Sequence, residues 1–120
     1  MIVALGGLLA AVLVGLAASA GAHSLLLESV PAPGATLTAP PRELILRFNN
    51  RVEKSLSRVR LVDSRGADHP LVVTVAGGQA DRLTAAVPSL EPGRWRVEWQ
   101  VLSTDGHVVS GRFVFTLTPP

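Results

Sequence analysis

From residue 25 onward the chain alternates apolar and polar positions in short runs, with a period of two and no sustained helical period, which is the mark of half-buried strands. Leu25, Leu27 and Ser29 alternate with Leu26 and Glu28, and Leu44, Leu46 and Phe48 share one face while Glu43, Ile45 and Arg47 take the other. Val59 and Leu61 sit between Arg58 and Arg60, residues 71–75 form a short β-branched run closed by Gly77-Gly78, and Leu83, Ala85 and Val87 resume the alternation. The clearest strand is 94–103, with Trp95, Val97, Trp99 and Val101 facing inward; Phe113, Phe115 and Leu117 mark the last. Turn formers separate these runs at Pro31-Ala32-Pro33-Gly34, Ala39-Pro40-Pro41, Asp63-Ser64-Arg65-Gly66 and Glu91-Pro92-Gly93, and each Pro lacks the N–H that a central ladder needs. The pattern predicts an all-β domain, an immunoglobulin-like Greek-key β-sandwich or barrel of about seven strands. Trp95, Trp99, Phe48, Phe113 and Phe115 are its expected core.

The first 22 residues do not share this pattern. They carry no charge at all, whereas all twenty charged side chains lie between Glu28 and Arg112. Residues 2–18 are an apolar run that ends in Ser19, Ala20, Gly21 and Ala22, and small side chains at the −1 and −3 positions are what a signal peptidase accepts. No Lys or Arg precedes the run. The competing reading is an uncleaved anchor, since roughly 20 apolar residues can span a bilayer, but an anchor has no use for the small-residue ending. Cuts after Ala20 and after Ala22 both satisfy the small-x-small rule. The expected cut lies between Ala22 and His23, making 1–22 a signal peptide and 23–120 the working domain, with His23 at its amino terminus and a periplasmic or secreted location.

Composition narrows the chemistry. A length of 120 residues fits one small domain. With no Cys, disulfide scaffolds, thiolate metal sites and Cys nucleophiles are excluded; with no Tyr and Met1 as the single Met, a Tyr general acid and a thioether copper site are excluded as well. The net charge of +2 comes from ten Arg and one Lys against nine acids. Along the sequence those bases are scattered, so no phosphate-tracking stripe is evident and nucleic acid is not an expected partner. Three His, nine carboxylates and some hydroxyls remain.

Ser103-Thr104-Asp105-Gly106-His107 closes the longest expected strand. Asp105 and His107 are two apart, so in extended chain both side chains leave on one face, and Gly106 lets the chain tighten between them. Taken alone the segment is more simply an Asp-Gly turn with an exposed His. His23 changes the balance, because an amino-terminal His chelates a metal through both its α-amine and its Nδ1. Together with Asp105 and His107 it supplies three nitrogens and one oxygen. That set suits Cu(II) first, since amine and imidazole ligands follow an affinity order that peaks at copper, and Zn(II) second.

At these residues the sequence resembles the CopC family of periplasmic or secreted copper-binding proteins. The resemblance rests on the opening His23-Ser24-Leu25-Leu26-Leu27-Glu28-Ser29-Val30-Pro31-Ala32-Pro33-Gly34, on Leu44-Ile45-Leu46-Arg47-Phe48-Asn49, and on Trp95-Arg96-Val97-Glu98-Trp99-Gln100-Val101-Leu102-Ser103-Thr104-Asp105-Gly106-His107 running on to Gly111. It implies one Cu(II) per chain, held by His23, Asp105 and His107, and delivery to a CopD-like membrane copper transporter. Two departures qualify it. Some members hold Cu(I) on a second, Met-rich loop; the corresponding stretch here, 62–70, has His69 but no Met, so no Cu(I) site is expected and His69 reads as a solvated loop residue. Many members also carry a Glu near the Cu(II) site where this chain has Asn50, which can hydrogen-bond a ligand but adds no negative charge.

The expected function is a non-enzymatic copper carrier or buffer in copper homeostasis or resistance. Two alternatives stand beside it. A His-brace copper monooxygenase would share the two-His grip, but such enzymes often place a Tyr near the metal, and a coordinated Asp would take a position that oxygen chemistry needs. A metal-free immunoglobulin-like interaction module would make 105–107 merely a turn.

Overall fold

The two runs with the longest unbroken alternation become the two longest strands and pair with each other. The computed structural model describes residues 25–120; the expected leader 1–22 and His23 lie outside the described residues. Eight strands form: β1 Leu26–Val30, β2 Thr36–Leu37, β3 Glu43–Phe48, β4 Arg58–Val62, β5 Asp68–Leu71, β6 Arg82–Ala86, β7 Gly93–Leu102 and β8 Val108–Leu117, with one 3-10 turn at Lys54–Leu56. They divide into a three-stranded sheet, β1-β3-β6, and a five-stranded sheet, β2-β8-β7-β4-β5. Every pairing is antiparallel except that of β2 with β8. The expected all-β sandwich is the architecture found.

The core lies where the inward faces meet. Leu44, Leu46 and Phe48 of β3 and Leu83 and Ala85 of β6 pack from one sheet; Val59, Leu61, Trp95, Val97, Trp99, Val101, Phe113, Phe115 and Leu117 pack from the other, and all are buried. Alternation places them there because successive side chains on a strand point to opposite faces. Phe48 and Trp99 meet edge-on across the layers with ring centroids 5.1 Å apart, an arrangement aromatic pairs favour.

The structure departs from the sequence pattern at four places. In β1 a bulge between Leu26 and Glu28 interrupts the register, so Leu27 turns outward, half exposed, while Leu26 packs on the core and Ser29 is buried. One inserted residue is enough to flip the face. Ser29 satisfies its hydroxyl on the carbonyl of Pro31 at 2.8 Å. The fifth strand is Asp68–Leu71 rather than 71–75: Val73 makes only an isolated bridge with Ala85, and Val72 and Val75 are exposed. Pro70 is tolerated because β5 is an edge strand, where the missing donor can point away from the ladder. The last strand begins at Val108, and β2, two residues long, is too short to show any period.

Candidate metal centre

The candidate centre is built on the loop that joins β7 to β8. Leu102 pairs with Val108, and between them Gly106 N–H donates to the Ser103 carbonyl at 3.0 Å and Ser103 N–H to the His107 carbonyl at 2.9 Å. Gly106 has φ +86°, the left-handed conformation in which a glycine meets no Cβ penalty, as three-residue hairpin loops require. The Asp-Gly pair in the sequence is thus a turn, and that turn brings the two candidate ligands together. The Asp105 carboxylate accepts the His107 backbone N–H on Oδ1 at 3.0 Å and meets the His107 ring Nδ1 with Oδ2 at 2.9 Å. With the carboxylate as acceptor the ring proton sits on Nδ1, which leaves Nε2 as the nitrogen with a lone pair for a metal. The His107 side chain is 62% exposed and that of Asp105 26%, so the imidazole faces solvent while the carboxylate is tucked beneath it.

Four contacts bring the start of the described chain to this end of the sandwich. Leu25 N–H donates to Asn49 Oδ1 at 2.7 Å, and Asn49 N–H donates to the Leu25 carbonyl at 3.0 Å. Three residues on, Val52 bridges Ser103 at the base of the turn, and Glu53 N–H donates to the Leu102 carbonyl at 3.0 Å. The 49–53 segment therefore ties Leu25 to the loop that carries Asp105 and His107. The side chain that clasps the chain's start is Asn49, which the sequence did not single out. Its signal, a polar residue just past the last core position of a strand, is one shared by many strand ends.

The remaining sequence-predicted ligand, His23, lies outside the described residues. Among the described residues no group of three His, Cys, Asp or Glu side chains could hold a metal. Asp105 and His107 together offer one oxygen and one nitrogen of borderline character, a pair that fits a first-row divalent ion.

His69 departs from its expectation. It is a strand residue, opposite Leu61 in β5, and its Nε2 lies 3.1 Å from Asp63 Oδ2. Its ring meets Trp95 edge-on with centroids 5.3 Å apart. Asp63 also accepts N–H bonds from Arg65 and Ala67, both at 2.9 Å. The His69 hydrogen bond first, then that of Ala67, with Arg65 adding to them, holds the Asp63 carboxyl below the usual carboxylate range. His69 stands level with Leu61 and Val97, six residues along β7 from Ser103, so it is roughly 20 Å along the strand from the turn that carries His107.

Comparison with known proteins gives one consistent neighbourhood. Residues 26–118 match the CopC domain family. The chain is 30% identical over 102 residues to Protein YobA of Escherichia coli strain K12, covering 82% of each, and 34% identical over 107 residues to Copper resistance protein C of Xanthomonas campestris pv. juglandis, covering 83% of this chain and 84% of the relative. The crystal structure of CopC from Methylosinus trichosporium OB3b superposes with a TM-score of 0.74 at 33% identity, covering 81% of this chain and 95% of the other.

Proposed function

The chain belongs to the CopC family, and from that premise we propose that it is an extracytoplasmic Cu(II)-binding protein, a copper carrier or buffer rather than an enzyme. The observation that carries this reading is the pairing of Asp105 with His107 at 2.9 Å on a loop tied, through Val52 and Asn49, to the start of the chain. Two residues before Leu25 stands His23. Freed by cleavage, it offers an α-amine and Nδ1 to the same ion that His107 grips through its ring. The Asp105 carboxylate orients the His107 ring and brings negative charge to a cupric ion. Copper is the cargo, and the relatives named for copper resistance support its choice over zinc.

All three nitrogen donors bind metal only when deprotonated, so affinity falls as pH drops, and a carrier of this kind takes up copper near neutrality and yields it in acid. Hand-over to a CopD-like membrane copper transporter is the step that such a carrier serves. The test is mass analysis of the exported protein followed by titration with Cu(II). A chain beginning at His23 that forms a tight one-to-one complex supports the reading. A chain beginning at Gly21, or one without such a complex, overturns it in favour of a metal-free module.

A further inference from the structure

The bases that look scattered in sequence are gathered by the fold. The outward positions of β4, β7 and β8 carry Arg58, Arg60, Arg94, Arg96 and Arg112, since their neighbours Val59, Leu61, Trp95, Val97, Trp99 and Phe113 point into the core. Only two carboxylates share that face, Asp68 and Glu98. The face therefore carries three positive charges in excess, and the remaining six bases and seven acids of the chain leave one negative. The whole positive excess of this protein stands on the outer side of its five-stranded sheet.

Both carboxylates are already taken. Arg60 binds Glu98 through Nε at 2.6 Å and Asp68 through a second nitrogen at 2.8 Å, and Arg96 Nε donates to Glu98 at 2.8 Å. Among the described residues Arg58, Arg94 and Arg112 have no carboxylate partner. Clustered unpaired guanidiniums repel one another and cost stability, and the sheet holds them in order. Arg58 lies opposite Gln100; Arg60, Glu98 and Arg112 share the next row; Arg96 lies opposite Val114; Arg94 lies opposite Thr116. Each row holds at least one arginine, and rows follow at a two-residue step of about 6.7 Å. Beside them runs a groove of about 900 Å³ walled by Arg58, Arg60 and Arg112 and edged by Val73 and the exposed Val75.

We propose that this face docks an extended acidic segment of a partner protein, whose alternate carboxylates fall in step with the arginine rows. Alternate residues of an extended chain repeat at the same spacing as the rows of the sheet. The five bases of the strand rows are Arg, with Lys54 at the rim of the groove, and Arg is the residue that takes carboxylates bidentately at interfaces. A lipid surface would favour protruding apolar side chains among the charges; here Gln100, Ser110 and Thr116 share the arginine rows, Val114 lies beside Arg96, and the exposed Val75 and Val108 stand at the margin. The Arg58 row is the row next to the Leu102–Val108 pair that closes the Asp105 and His107 turn, and the proposed docking does not depend on copper.

The test uses the full exported chain and a labelled peptide of alternating Glu and Thr, read by fluorescence anisotropy, with phosphatidylglycerol vesicles as a second probe. Two variants with the same change in net charge are compared: Arg58→Glu with Arg112→Glu on the face, and Arg42→Glu with Arg47→Glu on the side of the opposite, three-stranded sheet. Circular dichroism and Cu(II) titration of each confirm that fold and copper binding are intact. The face variant loses about tenfold or more in peptide affinity while the control stays within about threefold. Raising the salt from about 0.02 M to about 0.2 M, which shortens the Debye length from roughly 21 to roughly 7 Å, weakens wild-type binding and levels the variants. Equal losses in both variants would reduce the effect to net charge. Vesicle binding without peptide binding would assign the face to lipid. Either result overturns the proposal.

Discussion

At the scale of single residues, two carboxylate–imidazole pairs stand well apart on the sandwich. Asp105 spends one oxygen on the backbone of His107 and the other on its ring, so it is bound into the turn. Asp105→Asn keeps an acceptor for the backbone N–H but loses the charge; it is expected to weaken Cu(II) binding about 10- to 100-fold with little change in melting temperature. His107→Ala is expected to weaken binding by at least as much, and competition against a chromophoric chelator measures both. Asp63 and His69 bear on stability instead. The folded-state pKa of Asp63 is depressed, its hydrogen bond to His69 foremost. Its contribution is therefore present above the unfolded carboxylate pKa and is lost as pH falls below about 4. In Asp63→Asn the decline of the thermal midpoint on the acid side becomes shallower, and His69→Ala lowers the midpoint while leaving copper affinity unchanged. The motif around Asp105 and His107 was legible because it spans five consecutive residues. The partner of His69 was not, because nothing in the composition of a loop-like stretch says that it will pair as an edge strand beside a tryptophan.

At the scale of elements, the β7–β8 hairpin carries both the core and the site. Its ladder runs from Gly93 opposite Leu117 to Leu102 opposite Val108, and within it Gly111 lies opposite Trp99. A Cβ at Gly111 would stand well inside contact distance of the Trp99 indole, whose ring packs on Phe48. Gly111→Ala must push that indole out of place, and it is expected to destabilise by about 1–3 kcal/mol, read by denaturant unfolding and by a shift in Trp emission. The length and facing of β7 were plain from its alternation. The bulge in β1 was not, because Leu25, Leu26 and Leu27 are equally apolar and only pairing with β3 decides which of them turns inward.

At the scale of the whole molecule, copper binding and folding are linked. Free Cu(II) at about 100 times Kd is expected to add about 2.7 kcal/mol to the stability of a chain that begins at His23. If the amine and ring of His23 hold the ion as proposed, one extra residue ahead of it is expected to remove most of that gain, and calorimetry with and without copper on the two chains checks it. The two-sheet all-β architecture, the inward aromatic residues and the turn that presents Asp105 and His107 were determined by the sequence alone, because a period of two and an Asp-Gly turn are local properties that survive in any context. Tertiary structure decided what depends on distant parts of the chain meeting: Asn49 clasping Leu25, Val52 pairing with Ser103, and His69 finding Asp63 and Trp95. The arginines followed the same logic. Spread from residue 58 to residue 112 they show no cluster, and only the register of three strands, whose backbone hydrogen bonds join residues up to about forty apart in sequence, sets them on one face.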